Sequence, residues 1–180
     1  MASRAVFPLI LLAGALASPQ AAPPDHMAQP RYTKGDQLLR PEGYREWMFV
    51  ATNLGMSYSD EQTKTPSFHN IYIQPEAYRY YKQNGRFPDK TILVMERYSA
   101  GSIASINRQG QFQDRFLGVE VALKDEQHFR EKWAYFDFTG SGDTPRTQAK
   151  PFPKEACWSC HNQHGAVDNV FVQFYPILRK

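Results

Sequence analysis

The run Cys157-Trp158-Ser159-Cys160-His161 restricts what this chain can become more than any other stretch. Two thiols three positions apart sit about one helical turn from each other, and a histidine follows the second directly. That spacing lets the thiols meet the two vinyl groups of a haem while the imidazole lies under the iron. One covalent haem c on Cys157 and Cys160, with His161 as the proximal metal ligand, is therefore the expected use of the motif. A redox-active dithiol, a strained local disulfide and half of a zinc site are the alternatives, and the last would lack its second ligand pair.

The amino terminus bears on the same question, because thioether attachment belongs to exported chains. Met1-Ala2-Ser3-Arg4 precedes the apolar run Ala5 to Ala17, and small residues and prolines follow, which is the layout of a signal peptide. Pro8 interrupts the run, which falls short of the roughly 20 residues that a spanning helix needs. Residues 1–22 are expected to be cleaved, after Ala17, Ala21 or Ala22, leaving a periplasmic protein with no membrane span. Residues 23–40, polar and proline-containing, read as a flexible lead-in to a single domain over 41–180. The formal net charge of +3 falls to +2 when Arg4 is removed. Acidic and basic residues are interspersed, so nothing favours a nucleic-acid or membrane-surface partner.

Along the domain, Gly43 to Trp47 suggests a helical turn, and Met48 to Thr52 and Phe68 to Ile73 suggest short strands. Pro75 suits the first turn of a helix that Asn84-Gly85 closes. Further strands are expected at Thr91 to Tyr98, Phe116 to Leu123, Trp133 to Phe138 and Asn169 to Ile177. The fold class is α+β, a mainly antiparallel sheet with a few attached helices and the haem near the C-terminal CxxCH helix. Small helical electron-transfer cytochromes carry CxxCH near the mature N-terminus; here it lies close to the C-terminus, so that architecture is disfavoured.

Several segments in order, Tyr44-Arg45-Glu46-Trp47, Phe68 to Ile73, Phe87-Pro88-Asp89, Gly118-Val119-Glu120-Val121, Trp133-Ala134-Tyr135-Phe136, the CxxCH and Gln173 to Arg179, resemble the cytochrome P-460 family, which includes the cytochromes c′-beta. The resemblance covers about residues 40–179. It implies a β-rich fold, usually a homodimer, and a five-coordinate haem with histidine below and an open distal face. In the hydroxylamine-oxidising members, a lysine after the Phe-Pro-Asp turn is cross-linked to the porphyrin edge and a glutamate lies over the iron. The matching positions here are Met95 and Glu120. A thioether has no amine for that bond, so the cross-linked haem is expected to be absent; Lys90 lies in the turn, off register.

Glu120 interrupts an apolar strand on the face opposite Val119 and Val121, which suits either a solvated face or a catalytic base aimed at the iron. A carboxyl in an apolar haem pocket should titrate above its ordinary range. Met95 has three readings, as an apolar wall beside the haem, a sixth iron ligand or an ordinary core residue; alternation sets it with Leu93 and Arg97, away from Ile92, Val94 and Glu96. Phe68 is a candidate distal aromatic, with core packing the alternative. His69, His128 and His164 read as surface or hydrogen-bonded residues, and Trp133, Tyr135 and Phe136 as core. Arg86, Lys90 and Arg97 are equivalent candidates for haem propionates.

Three functions follow as expectations. The leading one is binding of nitric oxide or hydroxylamine, extending to their redox transformation. The second is a peroxidase-like reaction of hydrogen peroxide with Glu120 as distal base. The third is electron transfer through His161/Met95 ligation, with a periplasmic redox partner.

Overall fold

The computed structural model describes residues 26–58 and 65–179. The expected signal peptide lies outside the described residues. Strands β1 (Leu38–Leu39) and β7 (Gln148–Ala149) form a small antiparallel ribbon. The main sheet runs β2 (Met48–Leu54), β3 (Ser67–Ile73), β4 (Ile92–Gly101), β5 (Phe112–Lys124) and β6 (Trp133–Asp137), every neighbour antiparallel and in chain order. Helix α1 (Pro75–Asn84) links β3 to β4, and α2 (Trp158–His164) carries the CxxCH motif. No described helix is long and apolar enough to cross a membrane. The expected α+β class, with its mainly antiparallel sheet, is what the chain adopts.

Each face of the sheet has its own core, because side chains alternate along a strand. Val94, Val119, Val121, Phe136 and Phe138 fill one side under β1 and β7. Ile71, Ile73, Leu93 and Tyr135 fill the other, covered by α1 and the C-terminal segment. α1 begins at Pro75, whose fixed φ suits a first turn, and stops at Gly85 in the left-handed conformation at φ 71°.

Three expectations need correction. Residues 26–40 are part of the domain: Met27 and Leu38 are buried, and Gln74, itself fully buried, donates to the Ala28 carbonyl. Packing of those two apolar side chains, with the pairing of Leu38 and Leu39 to β7, outweighs the polar composition. Asn169 to Ile177 is not a strand. Val172–Phe174 is a 3₁₀ turn, and Phe174 N and Tyr175 N donate to Phe171 O and Val172 O. The aromatic residues that made it look β-like are used instead to pack against α2. Finally, β5 begins four residues before the expected Phe116, in a polar stretch whose pairing with β4 alternation does not reveal.

Glu96 points away from α2 and is 2% exposed. It accepts from the Tyr44 hydroxyl at 2.6 Å and from Arg45 Nε at 2.8 Å. Since Arg45 is largely exposed, the main cost of losing Glu96 falls on the Tyr44 hydroxyl, left buried without an acceptor. Glu96→Ala is expected to lower stability by about 2 kcal/mol in urea unfolding; an unchanged midpoint would show the cluster to be solvated.

Candidate haem site

Strand register assembles one side of the site. Ile71, Met95 and Glu120 are aligned across β3, β4 and β5, and Ile73, Leu93, Ala122 and Tyr135 form the next row on the same face. α2 packs on β6 above this face. Between the two layers is a cavity of about 320 Å³ whose walls include Met95, Glu120, Tyr135, Cys157, Cys160 and His161. The alternation read from sequence for Met95 and for Glu120 is thus the alternation found.

His161 lies in the helix that the motif was expected to form. Its Nδ1 is 2.9 Å from the Asn169 carbonyl oxygen. A carbonyl only accepts, so the proton belongs on Nδ1 and Nε2 keeps its lone pair. The ring is held between Tyr135 and Phe171, with centroids 4.1 and 4.3 Å away. Burial pulls its pKa below the ordinary histidine range, while the bond to Asn169 works in the opposite sense. A neutral imidazole with a fixed tautomer is the form in which histidine ligates a metal.

Both cysteines are free thiols, and both line the cavity. Burial pushes the Cys157 thiol up, as do the charges of Glu120 and Cys160. The local disulfide alternative is not realised. Among the described residues no cluster of three or more His, Cys, Asp or Glu side chains is arranged to hold a bare metal ion. Two thiols and one available imidazole nitrogen, facing an apolar chamber between sheet and helix, are the donor set of a thioether-bound haem. The residues fit that group.

Glu120 is the carboxylate of the chamber, its side chain 36% exposed, with the Arg97 Nε 3.0 Å from its Oε1. Burial moves its pKa above the ordinary carboxylate range; Arg97 opposes that shift and Asp137 reinforces it. The ion pair is diagonal, since Arg97 is opposite Gly118 and Glu120 opposite Met95. Gly118 makes it possible. A Cβ there would come within 2.0 Å of Thr139 Oγ1, the atom to which Arg97 Nη2 donates at 3.3 Å.

His69 and Arg97 form the row beside Ile71, Met95 and Glu120 on the same face, and the other candidates fall elsewhere. Phe68 shares its strand face with Asn70 and Tyr72, opposite Ile71, and does not line the cavity, so it is withdrawn as a haem contact. Lys90 is tied to Asp125 and lies 3.8 Å from Asp89, away from the chamber. His69 bonds Ser67 Oγ at 2.9 Å, and His128 stacks on Tyr32. His164, in the last turn of α2, is exposed. Arg97 turns to Glu120, and Arg86 is exposed.

Sequence reading missed the proximal surroundings. Tyr135 was expected only as core, and Phe171, Asn169, Tyr58 and Tyr175 were not singled out, though all five line the cavity. The one available signal was the density of aromatic residues after the motif. The Asn169 contact is made by its backbone and leaves no mark in residue type.

No curated protein matches the chain. A family model described as Cytochrome P460 does, over residues 41–172, which takes in the main sheet, the motif and the three residues around His161, Tyr135, Asn169 and Phe171. Matching most of its length, it establishes that the chain belongs to the cytochrome P460 family of haem proteins.

Proposed function

We propose that the chain carries one haem c, bonded through Cys157 and Cys160 and ligated by His161, and that it binds and redox-transforms small nitrogen species such as nitric oxide and hydroxylamine. The convergence of both free thiols, the Nδ1-protonated His161 and the half-buried Glu120 on one chamber supports this reading. When bound, the iron porphyrin supplies a coordination position for the ligand and one-electron redox chemistry.

The chain's own groups supply the rest. Glu120, with its pKa raised by burial, is a stronger base than an ordinary carboxylate and is suited to take a proton from an N–H or O–H of a small ligand. Arg97 limits that rise and holds the carboxylate in place. Met95, next to Glu120 across the strands, contributes an apolar surface and no amine. Oxidation of hydroxylamine is therefore expected to be slower than in cross-linked relatives, with ligand binding retained.

The Arg97–Glu120 pair also supports a second reading, reaction with hydrogen peroxide, in which a carboxylate base and a neighbouring cation act together. The test is optical. The ferric protein is expected to have a high-spin spectrum that changes on adding nitric oxide. A methionine-to-iron charge-transfer band in the near infrared, with no response to nitric oxide, would instead assign Met95 as sixth ligand and make the protein an electron carrier.

A further inference from the structure

The carbonyl that receives His161 Nδ1–H belongs to an unusual turn. Between Val167 and Val170 the chain reverses in two residues, Asp168 at φ 49° and Asn169 at φ 62°. Val170 N donates to Val167 O at 2.9 Å and Val167 N to Val170 O at 3.4 Å. Two successive left-handed residues make the tightest hairpin turn, and Asp and Asn are the side chains other than glycine that tolerate it.

Two supports are visible. The Asp168 carboxylate accepts from Lys124 Nζ at 2.7 Å through Oδ2 and from Trp133 Nε1 at 3.2 Å through Oδ1. Lys124 is buried at the end of β5, where it also donates to the Phe87 carbonyl at 2.9 Å and lies 3.4 Å from Glu126. Trp133 is buried at the start of β6. The turn is thereby fixed to the sheet that forms the floor of the chamber. On its other side it presses on the end of α2, where a Cβ at Gly165 would come within 2.8 Å of the Asn169 carbonyl carbon and 2.6 Å of the His161 carbonyl oxygen.

We infer that Asp168 is a positioning residue for the proximal histidine. Pinned by Lys124 and Trp133, it aims the Asn169 carbonyl at His161 Nδ1 and so sets how strongly that imidazole donates. The Tyr135 hydroxyl, 3.3 Å from the same oxygen, draws on the same acceptor. A firm Nδ1–H···O bond increases the donor strength of Nε2, and a loosened one diminishes it. The inference rests on the reading of His161 as iron ligand.

The experiment compares wild type, Asp168→Ala, Asp168→Asn and Gly165→Ala in the exported, haem-loaded protein. Covalent haem content, the ferrous iron–histidine stretching band and the midpoint potential are measured for each. Asp168→Ala is expected to shift the band down and the potential up. Asp168→Asn, which keeps an acceptor for Trp133 but loses the charge opposite Lys124, should shift both by less. Gly165→Ala, whose Cβ would meet both the Asn169 and the His161 carbonyl groups, should move both readouts and shows that they respond to a displaced turn. Glu96→Ala, on the opposite face, lowers stability and should leave both unchanged. Band and potential unaltered in Asp168→Asn would overturn the inference, whatever Asp168→Ala does to folding. A wild-type protein with no iron–histidine band would instead sink the underlying assignment of His161.

Discussion

An exported Cys157→Ala/Cys160→Ala double variant is expected to retain no haem after acid–acetone extraction, whereas the wild-type polypeptide keeps a pyridine haemochrome of about one haem per chain. This is the largest effect the structure implies. Every other feature of the chamber, the imidazole, the carboxylate and the aromatic walls, could hold a haem reversibly; only thioethers at the two cysteines would retain it through denaturation. Each single variant should keep one thioether and still resist extraction. The protein should also lose stability, because Cys157 and Trp158 are packed against the core on the α2 side and the proposed haem, once bonded, would fill the chamber between helix and sheet. Equal haem retention by double variant and wild type would refute covalent attachment and leave only a non-covalent haem pocket.

What could be read in advance divides along physical lines. The period-two alternation of β4 and β5 is a property of side chains, so the sequence placed Met95 beside Leu93 and Glu120 opposite Val119, and the register agrees. The same rule fails between strands. Phe68 has the right character for a distal aromatic, but only its pairing with Tyr98 and its neighbours Asn70 and Tyr72 reveal that it lies on the other face. Asn169 to Ile177 failed for a related reason. Its Val, Phe, Tyr and Ile residues suit a strand, yet the left-handed Asp168-Asn169 pair and the i to i−3 bonds after Phe171 curl the segment around His161. The histidine's hydrogen-bond partner is a main-chain oxygen, which any residue would offer. The two-residue strands β1 and β7 are too short for any pattern to mark.

Glu120→Gln is expected to slow the reaction with hydroxylamine by about 10² to 10³-fold while leaving nitric oxide affinity nearly unchanged, because proton removal needs the carboxylate and ligation of nitric oxide does not. The pH dependence carries the sign. With Glu120 as the proposed base, the active form of the wild type is the deprotonated carboxylate, so the rate should fall as pH drops through a pKa that burial has raised above the ordinary carboxylate range. The amide does not titrate, so in Glu120→Gln that acidic limb should vanish along with the rate. Arg97→Met gives an independent arm. Its guanidinium is what counters the effect of burial, and without it the limb should move to higher pH while the plateau rate well above it changes far less. The peroxide reaction should follow the same pattern if Glu120 serves it too. A Glu120→Gln protein with wild-type turnover and an unaltered acidic limb would mean that the carboxylate belongs to the Arg97 pair alone and that protons leave the ligand by another route.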